Sequence, residues 1–274
     1  MADPTLKPMI DSHCHLDLAC FDDDIDDVII RAQARGVTRF IIPGIDPTHW
    51  LKAKALAQNF PSISYTLGYH PFFYPSSLTL ADVDGLIAGL EQAITPECIG
   101  IGEIGIDRTL ATPLDVQIAM FDRQIHLAQQ LGLPLIIHHR KSHDLIIGRL
   151  KHAKFMHSDS THGGETHGGI IHAFSGNQEI AQAYIDLGFY LGVGGTVTYP
   201  RGNKTLQVLS NVGLSHCVLE TDAPDMPMCG RQGQRNEPQY LSDVVQVLEK
   251  AFVSENIVAV TTANVQRIFR LSER

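Results

Sequence analysis

The stretch L-D-V-Q-I-A-M-F-D-R-Q-I-H-L-A-Q-Q-L-G-L-P-L-I-I-H-H-R, residues 114–140, decides the fold class. Its first 18 residues carry apolar side chains at the three- and four-residue spacing of an amphipathic helix. Gly132 then provides a helix C-cap, and the apolar run 133–138 is typical of a strand buried on both faces of a parallel sheet. A helix that leads directly into a buried strand indicates an α/β protein.

The same alternation continues in both directions along the chain. The other predicted strands are 8–13, 38–43, 63–68, 98–102, 169–174, 188–193 and 216–221, and further predicted helices are 24–35, 47–59, 178–187 and 240–252. Eight strands in 274 residues give about 34 residues per unit, the size of a βα repeat. We therefore predict a single (β/α)₈ TIM barrel that spans residues 1–274 as one domain. A flavodoxin-like open sheet is the alternative.

Composition and charge restrict the location and the partners. No apolar run approaches the ~20 residues that cross a bilayer. The first eight residues have neither a basic n-region nor an apolar h-region, so we expect no secretory signal. The five cysteines are scattered without C-x-x-C spacing, which indicates free thiols in a reducing cytoplasm. The net charge of −9 argues against broad electrostatic binding of nucleic acid. We expect a cytoplasmic protein with no membrane contact and infer no obligate protein partner.

Histidines and carboxylates end five of the predicted strands. They are His13, His15, Glu103, His138, His172 and Asp222. His13 and His15 are two residues apart, so alternation along an extended chain points them the same way. In a barrel all C-terminal strand ends face one rim, where the active site lies. Any one of these residues alone could be an ordinary rim residue, but together they predict a pocket for two divalent ions.

Seven motifs carry a resemblance to a known family. They are D-S-H-C-H-L-D (11–17), G-Y-H-P (68–71), G-I-G-E-I-G-I-D (100–107), P-L-I-I-H-H-R (134–140), I-H-A-F-S-G (171–176), L-E-T-D-A-P (219–224) and R-N-E-P (235–238). With these motifs in order over almost the whole chain, the sequence resembles the TatD family of metal-dependent hydrolases. The segments 222–227 and 230–238 more closely resemble its YjjV-like branch. The resemblance implies an amidohydrolase-like barrel, two divalent metal ions (Mg, Mn or Zn) and hydrolysis, often of phosphodiester bonds in DNA.

The resemblance also implies roles for the candidate ligands. They fall into three groups: His13, His15 and Asp222 for the first ion, His138 and His172 for the second, and Glu103 as a bridge between the two. A carboxylate beside a metal-activated water can take its proton, which makes Asp222 the candidate general base. Glu103 is the second candidate catalytic carboxylate.

Two further residues are candidates for substrate binding. Arg140 lies two residues beyond His138, so it would point to the same side and could bind a phosphate bidentately. His70 in G-Y-H-P could contact a phosphate oxygen or the scissile group, or could instead order the loop before Pro71. The aromatic run 72–74 could stack unpaired bases or cap the barrel. Other cations on predicted rim loops favour a phosphate-bearing substrate: Arg201, Lys204, Arg231 and Arg235.

Only residues 154–168 interrupt the alternation. This glycine-rich insertion contains His157, His162 and His167. We predict a solvated loop without a catalytic residue, in preference to a further metal site.

Three functions remain open at this point. The first is a metal-dependent phosphodiesterase or deoxyribonuclease that cleaves DNA from an end, binding DNA ends or nucleotide-like phosphodiesters. The second is an amidohydrolase that cleaves C–N or ester bonds of a small molecule. The third is a non-catalytic metal-binding protein, which the carboxylates at positions 103 and 222 disfavour, because a closed structural site does not need them.

Overall fold

One sheet of eight parallel strands organises the chain, in the sequence order β1 to β8. The computed structural model describes residues 7–155, 168–253 and 255–272. The strands are β1 Met9–Asp11, β2 Val37–Gly44, β3 Ile63–Leu67, β4 Cys98–Asp107, β5 Leu135–Arg140, β6 Gly169–Ile171, β7 Phe189–Val193 and β8 Cys217–Leu219. Each pairs in parallel with its neighbour in the chain, which is the order that a (β/α)₈ barrel requires.

Backbone hydrogen bonds just beyond β8 and β1 join the last strand to the first. The Ser12 N–H donates to the Leu219 carbonyl (2.9 Å), the Asp222 N–H donates to the His13 carbonyl (2.9 Å), and the His15 N–H donates to the Ala223 carbonyl (2.7 Å). The sheet therefore closes on itself, which confirms the predicted barrel over the open sheet. The closure also brings the first and last candidate ligands together.

Nine α-helices occur in the described ranges. They are α1 Ile25–Gln33, α2 Pro47–Asn59, α3 Val83–Ala93, α4 Leu114–Leu131, α5 His143–His152, α6 Gln178–Asp186, α7 Asn203–Val212, α8 Leu241–Ala251 and α9 Ile257–Phe269. The start of α2 is fixed locally, because the Asp46 carboxylate accepts from two N–H groups of its first turn and Pro47 opens the helix. Gly132 ends α4 with a φ of 63°, as its predicted C-cap role requires.

The inner face of the barrel carries its own apolar cluster. Strand residues Ile10, Ile41, Ile136, Ile170, Tyr190 and Val218 pack there with Val265, Ile268 and Phe269 of α9. Alternation places His138 on the same face as Ile136, two residues earlier, and His172 on the same face as Ile170. The apolar cluster and the candidate ligands thus share the inside of the barrel, with the ligands toward the C-terminal ends.

Strand β4 is longer than predicted. It runs from Cys98 to Asp107, whereas the sequence indicated an end at residue 102. Glu103 consequently lies inside the strand, where the register with β5 shifts between Ile101 and Ile104. Glycines at 100, 102 and 105 weaken the strand pattern, so the apolar run alone marked the end too early.

Strands β1, β6 and β8 are shorter than predicted, and their ligands follow the strands rather than end them. His13, His172 and Asp222 all lie outside the assigned strands. The chain nevertheless keeps its position beside its neighbours, because the His172 N–H donates to the Ile137 carbonyl of β5 at 2.9 Å. The pairing of neighbouring chains therefore continues to the rim of the barrel.

No helix within the described ranges combines the length and the apolarity that a membrane crossing needs. All five cysteines lie in those ranges and are free thiols, as predicted. Residues 156–167, with the three histidines of the predicted loop, lie outside the described residues.

Candidate metal centre

A cavity of about 530 Å³ opens at the C-terminal ends of the strands. Its lining includes His15, Glu103, His138, His172 and Asp222, and the fully buried His13 lies against them. The structure therefore brings all six predicted ligands to one place, although they come from positions up to 209 residues apart in the sequence. A concave site with convergent polar groups at this face is where barrel enzymes act.

Four atoms form the first group of possible ligands. His13 Nε2 lies 3.2 Å from His15 Nε2, 3.3 Å from Glu103 Oε2 and 3.5 Å from Asp222 Oδ1. His15 Nε2 lies 3.6 Å from the same glutamate oxygen and 3.8 Å from the same aspartate oxygen. Ligand atoms about 2.1 Å from one tetrahedral ion lie about 3.4 Å from one another. The spacing of these four atoms fits one divalent ion.

The other oxygens of the same two carboxylates face a second pair of histidines. Glu103 Oε1 lies 3.3 Å from His138 Nδ1, and Asp222 Oδ2 lies 3.5 Å from His172 Nε2. Each carboxylate thus directs one oxygen to His13 and His15 and its other oxygen to one of the two remaining histidines. The resemblance implied a bridging role for Glu103 alone, whereas Asp222 also lies between two sets of rings, His13 and His15 on one side and His172 on the other. Nitrogen and carboxylate donors in this arrangement suit two transition-metal or magnesium-like ions.

Three carboxylates that lie close to the predicted histidine ligands were not identified from the sequence. They lie near the ring nitrogens that do not face Glu103 or Asp222: Asp17 Oδ1 is 3.9 Å from His15 Nδ1, Asp107 Oδ2 is 3.7 Å from His138 Nε2, and Glu220 Oε1 is 3.0 Å from His172 Nδ1. Carboxylates in such positions orient metal-binding histidines and fix which nitrogen carries the proton. All three lie in the motifs that carry the family resemblance, and that was the signal available in the sequence.

The pKa values of these side chains reflect charges that pair with one another. Burial by itself lowers the pKa of His15, but Glu103, Asp17 and Asp222 raise it to about 9. Burial likewise raises the pKa of Glu103, yet the surrounding histidines hold it well below its ordinary value. The pKa of His172 is raised well above its ordinary value despite burial, because two carboxylates face the ring. Metal ligands must be deprotonated, so an incoming ion would displace protons from these rings.

His70 is neutral at physiological pH, in contrast to His15 and His172, whose pKa values are raised. Its Nδ1 accepts a hydrogen bond from the Phe72 N–H at 3.1 Å, and burial lowers the pKa of the ring to about 3. The neutral ring must then carry its proton on Nε2, which lies 3.5 Å from Glu103 Oε1. His70 therefore orders the loop, as one interpretation predicted, and directs Nε2 toward Glu103, with which it and His138 form a group of atoms close enough to hold an ion.

The mouth of the cavity carries one arginine and two aromatic rings. Arg140 lines the cavity with an exposed side chain. Phe72 is 65% exposed and Phe73 is 37% exposed, and both also line it. Tyr74 is only 8% exposed, so including it in a stacking surface was wrong. A pair of rings, rather than three, is available to a ligand.

Two of the predicted rim cations are engaged elsewhere. The Arg235 guanidinium pairs with Asp24 (2.7 Å) and Glu237 (2.8 Å), and Arg231 pairs with Asp243 at 3.3 Å. These ion pairs hold loops to one another. The structure therefore does not support the prediction that Arg231 and Arg235 bind phosphate.

The barrel and this cluster of imidazoles and carboxylates define the class of protein: a metal-dependent hydrolase with an amidohydrolase-like fold. The sequence profile described as TatD related DNase matches residues 10–270. The chain belongs to the TatD family, as its motifs predicted.

Relatives differ in how specifically they are named. The chain is 35% identical over 243 residues to the uncharacterized metal-dependent hydrolase YjjV of Escherichia coli K12, covering 87% of this chain and 88% of that protein. It is 29% identical to the 3′-5′ ssDNA/RNA exonuclease TatD of Citrobacter rodentium, covering 96% and 98%. The crystal structure of YjjV has a TM-score of 0.86 at 31% identity, covering 96% and 98%. An uncharacterized amidohydrolase of Saccharomyces cerevisiae, at 17% identity and a TM-score of 0.79, shares the fold.

Proposed function

We propose that this protein is a phosphodiesterase that hydrolyses single-stranded DNA from an end with two divalent ions. The observation that carries the proposal is the position of Glu103 and Asp222. Both direct one oxygen to His13, and their other oxygens face His138 and His172 respectively. Two ions held on either side of shared carboxylates are the arrangement that serves in-line displacement at phosphorus.

The residues present fit the metal ions. His13 and His15 would hold the first ion, His138 and His172 the second, and the two carboxylates would lie between them. Bound Mg²⁺, Mn²⁺ or Zn²⁺ would polarise a phosphoryl oxygen and make water nucleophilic at neutral pH.

Asp222 is the residue best placed to accept a proton from the attacking water. Burial raises the pKa of Asp222, but the charge and hydrogen bond of His172, together with the charges of His13 and His15, hold the pKa below its ordinary value. The carboxylate is therefore ionised at neutral pH and can accept a proton. Its side chain is 16% exposed, so one edge is open to the cavity. General-base catalysis requires both properties.

The mouth of the cavity matches the parts of a nucleotide. The Arg140 guanidinium offers planar donors to a phosphate, and the exposed rings of Phe72 and Phe73 offer a stacking surface to an unpaired base. The His70 Nε2–H can donate to a phosphate oxygen. The net charge of −9 provides no broad basic surface, so we expect contact with only a few nucleotides near the chain end. The exonuclease name carried by TatD of C. rodentium supports the same class of substrate.

A second candidate is hydrolysis of an amide or ester in a small molecule. A cavity of about 530 Å³ is in the range of small-molecule sites, which is the observation that favours it. The same metal centre would serve both reactions, so the substrate must be distinguished by assay.

We further propose that residues 1–274 act as one domain in the cytoplasm without an obligate protein partner. Strands from both ends of the described chain, β1 and β8, meet in one barrel. Five free thiols are typical of a reducing compartment. All four histidines and both carboxylates of the centre come from this chain.

The test is a substrate panel with defined metals. The purified protein is incubated with single-stranded and duplex oligonucleotides labelled at either end, and with an amide and ester panel, in Mg²⁺, Mn²⁺, Zn²⁺ or chelator. We expect stepwise release of nucleotides from one end of the single strand in Mg²⁺ or Mn²⁺, and none with chelator. If the oligonucleotides stay intact while an amide or ester is hydrolysed rapidly, the nuclease proposal is contradicted and the second candidate is favoured.

A further inference from the structure

The segment that carries Asp222 lies beyond the last strand and is joined to the first strand's extension by two backbone hydrogen bonds, those between Asp222 and His13 and between His15 and Ala223. Strand β8 ends at Leu219, three residues earlier, and Asp222 has a φ of 59°, in the left-handed region that residues other than glycine rarely adopt. A backbone in this state persists only where its surroundings fix it. The question is which side chains fix the turn formed by residues 221–226.

One fully buried side chain, Asn236, binds this turn at several points. Its Nδ2 donates to the carbonyls of Thr221 (2.9 Å), Asp225 (2.8 Å) and Met226 (3.3 Å). Its backbone N–H donates to the carbonyl of Pro224 at 3.0 Å. These contacts lie on both sides of Asp222, so the amide joins the beginning of the turn to its end.

The residues on either side of Asn236 fix it to the helical layer. The Arg235 guanidinium donates to both carboxylate oxygens of Asp24 at 2.8 and 2.7 Å. The Glu237 carboxylate accepts from Arg31 of α1 at 3.0 and 3.1 Å. The amide that holds the turn is therefore itself supported by two flanking ion pairs. This explains what the motif R-N-E-P contributes, since its arginine does not reach the cavity.

We propose that Asn236 is a positioning residue for Asp222. It holds the turn 221–226 so that Oδ1 faces the first histidine pair and Oδ2 faces His172. The proposal rests on the proposed function for the role of Asp222. Its first consequence is that loss of Asn236 weakens metal binding, which can be measured without DNA.

Asn264 of helix α9 provides a matched control. It is also buried, and its Nδ2 donates to two carbonyls, those of Leu214 (3.1 Å) and Cys217 (2.8 Å). These carbonyls lie at the start of β8 and just before it, on the opposite side of the strand from the end that leads to Asp222. A change at Asn264 removes comparable hydrogen bonds without altering the turn.

The experiment compares Asn236→Ala with Asn264→Ala in the full-length protein. Mn²⁺ binding is measured by titration calorimetry, and kcat and KM are measured on a single-stranded oligonucleotide. We expect both variants to lower Tm, because both lose buried hydrogen bonds. Only Asn236→Ala should weaken Mn²⁺ binding, by ~10-fold to ~100-fold, the range for residues that orient metal ligands. Its kcat should fall by a similar factor with KM little changed.

The outcomes separate the two proposals. Equal Mn²⁺ affinity in Asn236→Ala and Asn264→Ala would overturn the positioning role. A selective loss of affinity in a protein that leaves DNA intact would support the positioning role and contradict the nuclease proposal. If Asn236→Ala does not fold, Asn236→Ser and Asn264→Ser, which each keep one short donor, give the same comparison with the same deciding result.

Discussion

Replacing Asp222 by asparagine is expected to abolish turnover while the barrel stays folded. In the structure Oδ1 lies 3.5 Å from His13 Nε2, and Oδ2 lies 3.5 Å from His172 Nε2. The amide keeps one oxygen and puts an NH₂ group in the place of the other. It therefore loses one ligand atom and the ability to take a proton from water.

The expected size of the loss follows from the general-base role alone. Such proton transfer contributes ~10²-fold to ~10⁴-fold, so the rate should fall by at least ~10². At 1.36 kcal/mol for each factor of ten, this corresponds to at least ~2.7 kcal/mol of transition-state stabilisation. A further decrease is expected where metal occupancy also falls.

The assay is single-turnover cleavage of a labelled oligonucleotide at saturating Mn²⁺, with metal content per chain measured on the same samples. Asp186→Asn is the control. This exposed carboxylate lies at the end of α6, and within the described part of the chain its side chain accepts a hydrogen bond from Gln182 alone. It should keep the wild-type rate. A folded, metal-loaded Asp222→Asn protein that also cleaves at nearly the wild-type rate would refute the reasoning.

Further predictions concern the metal, its pH dependence and the mouth of the cavity. Removal of divalent ions by a chelator should abolish activity, and adding back Mg²⁺ or Mn²⁺ should restore it. Because the pKa of His15 is raised to about 9, the ring must lose a proton to bind an ion below that pH. Mn²⁺ affinity should therefore rise from pH 6 to 9, about tenfold per pH unit for each proton released. Calorimetry in two buffers with different ionisation enthalpies should detect the released protons. An affinity independent of pH would contradict this prediction. Arg140→Ala should raise KM for DNA more than Lys141→Ala, and equal effects would remove Arg140 from the site. Phe72→Ala should raise KM for single-stranded DNA several-fold whereas Tyr74→Phe should not, because only the first ring is exposed at the mouth.

The sequence was sufficient for the barrel because its signal is repeated. Helix α4, strand β5 and the glycine between them recur as a pattern along the chain, and each repeat supports the others. Strand bounds were less reliable. Glu103 lies within β4, although the prediction ended the strand before it. The prediction relied on runs of apolar residues, and the glycines of this segment interrupt such a run.

The convergence of the six candidate ligands was predictable from their places near strand ends, since parallel strands in a barrel share one rim. What could not be predicted depends on side-chain direction over long sequence separations. Arg235 shows this: its neighbours in the sequence do not reveal that it pairs with Asp24, 211 residues away. Asn236 is a similar case, because its partners are backbone carbonyls that any residue type provides.

The central claim is that this cluster holds two divalent ions, and anomalous scattering from crystals soaked in Mn²⁺ tests it most directly. The account predicts two peaks per chain. One should lie ~2.0–2.3 Å from His13 Nε2 and His15 Nε2, and the other at the same distance from His138 Nδ1 and His172 Nε2, with Glu103 in contact with both. A Mn²⁺-saturated crystal with no peak at this cluster, or with a single peak that leaves one histidine pair without metal, would contradict it.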